Sequence, residues 1–294
     1  MKHFADYQND APNWITLAGG EFYPDILSDA CLLYTPVLTM FDQLLRSSAS
    51  SVELLQAISS VRQSWMRVQL CRVFRKYVSP QTPVEMLKKK SMTTMVCQQY
   101  AKWFRSIDVV QSVFSSRPLP DEALCAVLWE YKDRGQKGYD LTERFFSMFR
   151  SLFPSYSIDG PERAGRDIRM SSVFPDYPNP SRPVDFVIRD KTSNVVAIGL
   201  ARYDGDRGGA QEDDRTGGYV NCAKEILQYA DFNHLPVKVI FVNDGPGLLL
   251  GSMWNDYSRI EAIDHSRVLV VTLRMLQERL SDEWLSGSND NNER

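Results

Sequence analysis

Apolar residues return at steps of three and four between positions 28 and 46, through Leu32, Leu33, Val37, Leu38, Phe41, Leu44 and Leu45. That spacing lays one apolar stripe along a helix. Ser50 followed three residues later by Glu53 makes a capping-box start. The helix it opens carries Leu54, Ile58, Val61, Trp65 and Val68 at the same spacing, and this stripe is assigned to the core. Pro80 and Pro83 break the chain, and a helix is expected over about residues 84–106. Pro118 and Pro120 punctuate again, after which Asp121 is placed to cap a helix through Trp129.

Past Gly138 the period changes. A helix is expected over residues 140–153, then a loop rich in Pro, Gly and Asp. Two short runs rich in β-branched residues, 184–188 and 195–200, flank Asp190-Lys191-Thr192-Ser193-Asn194, which is a hairpin signature. A helix over about 211–232 follows, then a strand at 237–242 that Asn243-Asp244-Gly245-Pro246-Gly247 ends as a turn, then a strand at 268–272 and a short terminal helix. This order predicts an α/β fold, a sheet sandwiched by helices. A mostly helical region, residues 1–130, precedes the sheet domain of 131–285, and the polar tail 286–294 is expected to be disordered.

Composition narrows the class. With 294 residues, 43% of them hydrophobic, the chain has enough material for one large or two modest cores. No apolar run approaches the roughly 18 residues of a membrane span, and no apolar segment near the start resembles a signal peptide. A cytoplasmic protein without a membrane partner is the expectation. The five cysteines, Cys31, Cys71, Cys97, Cys125 and Cys222, show no paired spacing, which disfavours structural zinc and a disulfide framework. A net charge of −3 argues against a passive nucleic-acid coat. Locally, however, Arg62, Arg67, Arg72, Arg75, Lys76, Lys88, Lys89 and Lys90 face a single acid, Glu85, over residues 61–90. Such a stretch is either a phosphate-docking surface or a solvated helix face.

The candidate chemistry sits at the hairpin. Asp185 interrupts an apolar strand, where an unpaired carboxylate is expensive. The second strand opens into Arg202, Asp204, Asp206 and Arg207, and the next helix begins Gln211-Glu212-Asp213-Asp214-Arg215. Acids and arginines converging at one end of a hairpin suit a divalent cation held against a phosphate, because magnesium takes hard oxygen ligands and cations stabilise the phosphoryl charge. Plainer roles compete: a satisfied strand-end acid at 185, Asp-Gly turn residues at 204–206, a surface ion pair of Glu212 with Arg215, and acids complementing a helix dipole. No nucleophile elbow, P-loop or dinucleotide fingerprint is present, and His3, His234 and His265 fall near no nucleophile pattern.

Five stretches in register resemble the type II restriction endonucleases of the PD-(D/E)XK superfamily, in particular the MboI-like group that cuts at GATC. They are Lys137-Gly138-Tyr139-Asp140-Leu141-Thr142-Glu143, Val184-Asp185-Phe186-Val187-Ile188, Tyr203 with Gly205, Gln211-Glu212 with Arg215, and Asn243-Asp244-Gly245 with Gly247. The resemblance implies Mg²⁺-dependent cleavage of double-stranded DNA by a homodimer, beside a DNA methyltransferase acting on the same sequence. It implies that Asp185 binds metal, that Glu143 lies near the attacking water or a second metal, and that Lys137, Arg207 and the basic helix with Arg72, Arg75 and Lys76 contact DNA. The chain departs from the family at two positions. Gly199 stands where the second metal-binding glutamate belongs, and Ala201 where the lysine or amide belongs. Relocation is the favoured reading, since members of the superfamily carry the glutamate on the following helix. Glu212 is then the leading replacement, with Asp204 and Asp206 as alternatives and Arg202 and Arg215 as the nearby cations. Arg202 lies one residue past the vacant basic position, so strand alternation turns it to the other face unless the strand bulges. The rival expectations are a catalytically inactive DNA-binding module on a nuclease fold and a DNA-repair nuclease. A neighbouring methyltransferase gene would favour restriction over both.

Overall fold

The computed structural model describes residues 2–132, 136–162, 167–205 and 210–287, and within these the side chains of all but 136–139 and 210–215. The chain divides into two compact units, Gly20–Arg134 and a second made of Met1–Gly19 with Gly135–Arg294. The expected division near residue 130 therefore separates too little: the first 19 residues belong with the sheet. Among the described residues no helix is long and apolar enough to cross a membrane.

The first unit is helical. Its longest helix, Ile26–Ser47, buries Tyr34, Val37, Leu38, Phe41 and Leu45, while Leu32 turns outward. Helix Ser51–Ser60 starts as the capping pattern requires: the Ser50 hydroxyl accepts from Glu53 N at 3.1 Å. The Glu53 carboxylate reaches back to Ala49 N at 2.8 Å. The stripe expected to run on through Val68 is broken. Val61 takes φ −59 and ψ 124, a new helix runs over Ser64–Tyr77, and Trp65 is 40% exposed, so it is not a core residue. The single helix expected over 84–106 is also divided, into Val84–Leu87, Thr93–Tyr100 and two short 3₁₀ turns. Asp121 caps helix Glu122–Trp129, its carboxylate accepting from Leu124 N at 3.1 Å.

The second unit is a mixed α/β fold. Its strands are β1 (Ser157–Asp159), β2 (Ile168–Arg169), β3 (Pro183–Val184), β4 (Phe186–Arg189), β5 (Val195–Tyr203), β6 (Lys238–Asp244) and β7 (Val268–Val271). Five of them form one sheet in the order β1-β4-β5-β6-β7, and β2 pairs with β3 apart from it. The β1–β4 and β4–β5 pairs are antiparallel, the β5–β6 and β6–β7 pairs parallel. The β4–β5 hairpin forms because its turn satisfies itself: the Asp190 carboxylate accepts from Thr192 N at 2.8 Å and Asn194 N at 2.9 Å. Strands β6 and β7 are buried throughout, as continuous apolar runs are when both faces are covered.

Two long helices cover opposite faces. Phe186, Gly199 and Ile240 are lateral partners across β4, β5 and β6 and share one face. There the Phe186 ring meets Phe145, from helix Gln136–Leu152, at 4.9 Å between centroids. Phe241, one residue on, points the other way and meets Tyr219 of helix Ala210–Phe232 at 5.3 Å. The N-terminal residues close one end of this unit. Phe4 stacks on Trp254 at 4.4 Å, Thr16 N donates to Asp244 Oδ1 at 2.6 Å, and Ala18 N donates to the Tyr203 hydroxyl at 2.7 Å.

Gly199 is fixed by packing. A Cβ there would lie 1.9 Å from Cζ of the Phe186 ring, itself fully buried, so the ring fills the space a larger residue would need. Gly199→Ala is accordingly expected to destabilise the protein by about 1–3 kcal/mol, the usual penalty for overpacking. The midpoint of urea unfolding measures it, and an unchanged midpoint would show that the ring yields freely.

Candidate functional site

Asp185 lies between β3 and β4, where the ladder is interrupted. Its backbone N donates to Gly199 O at 3.0 Å, and its Oδ2 accepts from Ala201 N at 2.8 Å. A side chain thus replaces a backbone rung, which explains how a carboxylate is tolerated inside an apolar strand pair. Burial pushes its carboxyl above the usual aspartate range; the Ala201 bond opposes this, and the negative charge of Asp167 adds to it. Protonation of Asp185 therefore competes with cation binding over a higher pH range than it would at an exposed aspartate.

The end of β5 supplies the next groups. Arg202 and Asp204 are two apart and form an ion pair through Nε and Oδ1. Asp204 is 1% exposed, and among the described residues its Oδ2 has no hydrogen-bond partner. Its backbone is locked to the end of β6, with Asp204 N donating to Asp244 O and Gly247 N donating to Asp204 O, both at 2.8 Å. A Cβ at Gly247 would meet the Asp204 Cβ at 2.8 Å, so the glycine permits this close approach. Asn243 is the lateral partner of Arg202 in the parallel β5–β6 pair. It too is 1% exposed, and among the described residues neither its amide nitrogen nor its amide oxygen has a partner.

Register settles which face these groups occupy. Asn243 is two residues from Phe241, so Asn243 and Arg202 face the Ala210–Phe232 helix. Tyr219 of that helix reports the same neighbours. Burial raises its hydroxyl pKa, Arg202 lowers it through charge and a hydrogen bond, and Asp185 and Asp204 raise it. Gly199 and Ala201 face the other way. The β4–β5 register shift falls at Ile188/Arg189, not near Arg202, so no bulge returns Arg202 to the vacant face. Orphaned buried polar atoms such as Asp204 Oδ2 and the Asn243 amide cost about 1–3 kcal/mol each unless a ligand, ion or ordered water meets them.

The remaining expected residues fall elsewhere. Glu143 is on helix Gln136–Leu152, which covers the opposite face. Among the described residues, Glu143, Asp185 and Asp204 do not make a trio of metal-capable side chains within reach of one ion; His3, Glu261 and His265 do. Asp206 and Arg207 lie outside the described residues, as do the side chains of Lys137, Glu212 and Arg215. In the helical unit Arg72 donates to Gln69 Oε1 at 3.0 Å and sits 4.9 Å above the Tyr131 ring. Arg75 donates to Pro80 O at 3.1 Å, and Lys76 is exposed. Sequence reading missed Asp167, Tyr219 and Asn243 as members of the site. The one available signal was Asn243, a polar residue closing an otherwise apolar strand. Asp244 beside it is structural, accepting from Thr16 N, Gly245 N and Leu273 N. Compared with known protein families, curated proteins and solved structures, the chain has no significant match. The functional reading consequently stands on these residues.

Proposed function

We propose that the protein hydrolyses phosphodiester bonds of double-stranded DNA with Mg²⁺, as a type II restriction endonuclease on a restriction-endonuclease-like fold. The observation that carries this reading is the company Asp185 keeps. One of its oxygens is held by Ala201 N, and the charges of Arg202 and Asp204 bear on the same tyrosine as its own. Asp185, Asp204 Oδ2 and Asn243 Oδ1 are hard oxygen donors of the kind magnesium takes, and among the described residues the last two have no hydrogen-bond partner. Bound there, Mg²⁺ would supply an acidified water and shield charge growing on phosphorus. Asp204 fixes the direction of the Arg202 guanidinium, whose charge stabilises the transferring phosphate.

Two further features support the reading. The five motifs that resemble the restriction endonucleases occur in the family's order. Gly217 and Gly218 lie inside helix Ala210–Phe232, where each costs about 1 kcal/mol relative to Ala. A Cβ at either would meet nothing within 4 Å, so internal packing does not explain them. An open backbone surface there suits close approach by DNA. Cutting both strands of a palindrome would take a homodimer, with a cognate methyltransferase protecting the host.

One observation favours a second reading, a DNA-binding module without catalysis: the Phe186 ring occupies the space beside Gly199. Incubation with phage DNA separates the two. A fixed fragment pattern in Mg²⁺ that disappears in EDTA is the expected result. Binding without cutting in either Mg²⁺ or Mn²⁺ assigns the chain to the binding module.

A further inference from the structure

We infer that His3 and His265 form a second metal site, selective for a borderline cation of the zinc, nickel or copper class and separate from the Asp185 cluster. The two rings lie 4.0 Å apart between centroids at 40°. The ligand atoms of His3, His265 and Glu261 all fall within 4.8 Å of one another. These three residues come from the N-terminal segment, the end of helix Met253–Glu261 and the turn before β7, so the fold alone brings them together.

Glu261 is not itself a free ligand. Its Oε1 accepts from Phe4 N and its Oε2 from Val270 N, and Arg279 Nη2 lies 2.8 Å from both oxygens. Its Oε1 also stands 3.7 Å from His3 Nδ1. At 3.7 Å the Glu261 carboxylate is a negative charge beside Nδ1 and not its hydrogen-bond acceptor. Glu261 therefore contributes charge to the site, and the ligands are the two imidazoles. Both neighbouring backbones are pinned. His3 N donates to Asp6 Oδ2 at 2.8 Å, and the Asp264 carboxylate accepts from Ser266 N at 3.0 Å and Arg267 Nε at 2.7 Å.

The rings open on a recess of about 420 Å³ that Asp6, Asn255, Ser258 and Arg259 also line. It has room for waters to complete the coordination. Among the described residues the one cation on its wall, Arg259, is drawn to Asp256 Oδ1 at 3.1 Å. Imidazole nitrogens favour zinc, nickel and copper over magnesium, which prefers oxygen. A cation here would tie the N-terminal segment to the start of β7 and stabilise the folded chain in proportion to its occupancy.

Calorimetric titration of ZnCl₂ into the metal-stripped full-length protein tests this, with excess Mg²⁺ present to occupy oxygen sites. One equivalent of Zn²⁺ is expected to bind. His3→Ala and His265→Ala should each weaken it at least about tenfold, while His234→Ala should leave it unchanged. Both ligand histidines are at least partly exposed, so neither replacement should impair folding. Absence of binding to the wild-type protein overturns the inference. So does binding that survives both replacements, since the ion would then be held elsewhere, on the cysteines for instance.

Discussion

Glu261→Gln is expected to lower the unfolding free energy by about 3–5 kcal/mol, the loss typical of breaking a buried ion pair on one side. Glu261 and Arg279 are 2% and 0% exposed at their side chains and 2.8 Å apart. Arg279 also donates to Val270 O through Nη1 and to Lys2 O at 3.2 Å. Gln keeps the volume and one carbonyl oxygen, so packing and one backbone bond survive. What is lost is the charge that balances a fully buried guanidinium, and the new NH₂ group faces a donor instead of accepting from it. Urea denaturation measures the change. The double replacement Glu261→Leu with Arg279→Met removes both charges together but leaves Phe4 N and Val270 N without their acceptor, so it should recover only part of the loss. A loss below about 1 kcal/mol for Glu261→Gln would mean that water reaches the pair.

Much of the fold could be read from periodicity because the elements are strongly patterned. The hairpin turn carries Asp190 and Asn194, whose local bonds need no tertiary help. The Ser50 and Asp121 caps are local for the same reason. Helix breaks were harder to see. The apolar spacing runs unbroken through Val61 although the helix stops there, since one stripe can belong to two helices packed on the same neighbours. No Gly or Pro marks that break, so nothing local announces it. The place of residues 1–19 was also hidden. Phe4 and Thr16 are committed to Trp254 and Asp244, partners far along the chain that no local pattern selects.

At the candidate site, Asp185 could be picked out because a carboxylate in an apolar run is costly unless it is bonded, and the Ala201 N bond meets that need. The direction of Arg202 followed from strand alternation, and the absence of a bulge beside it leaves that expectation standing. Beyond its polarity at the end of an apolar strand, the part played by Asn243 was not readable. It depends on lateral register between two parallel strands joined by a long helix, and sequence alone presents it as the start of a turn. Asp167 acts on Asp185 through space from a separate loop. The packing of Phe186 against Gly199 likewise needed the register of β4 on β5, and it closes the position where the family's second metal-binding glutamate would stand. Gly199→Glu would drive a side chain into a buried ring instead of rebuilding a metal site.

Asp185→Ala is expected to abolish DNA cutting while leaving DNA affinity within about tenfold. The replacement removes the proposed metal ligand and one negative charge, and touches none of the basic residues expected to meet DNA. Ala201 N loses its acceptor, but the adjoining rungs between Phe186 and Gly199 and between Val187 and Ile198 remain, so the hairpin should persist. The measurement is the initial rate of plasmid cleavage against Mg²⁺ concentration, for wild type and Asp185→Ala, with DNA binding followed in parallel. Cutting that saturates with Mg²⁺ is expected in the wild type, and none at any concentration in the variant despite retained binding. Near-normal cutting by Asp185→Ala would contradict the metal role of Asp185.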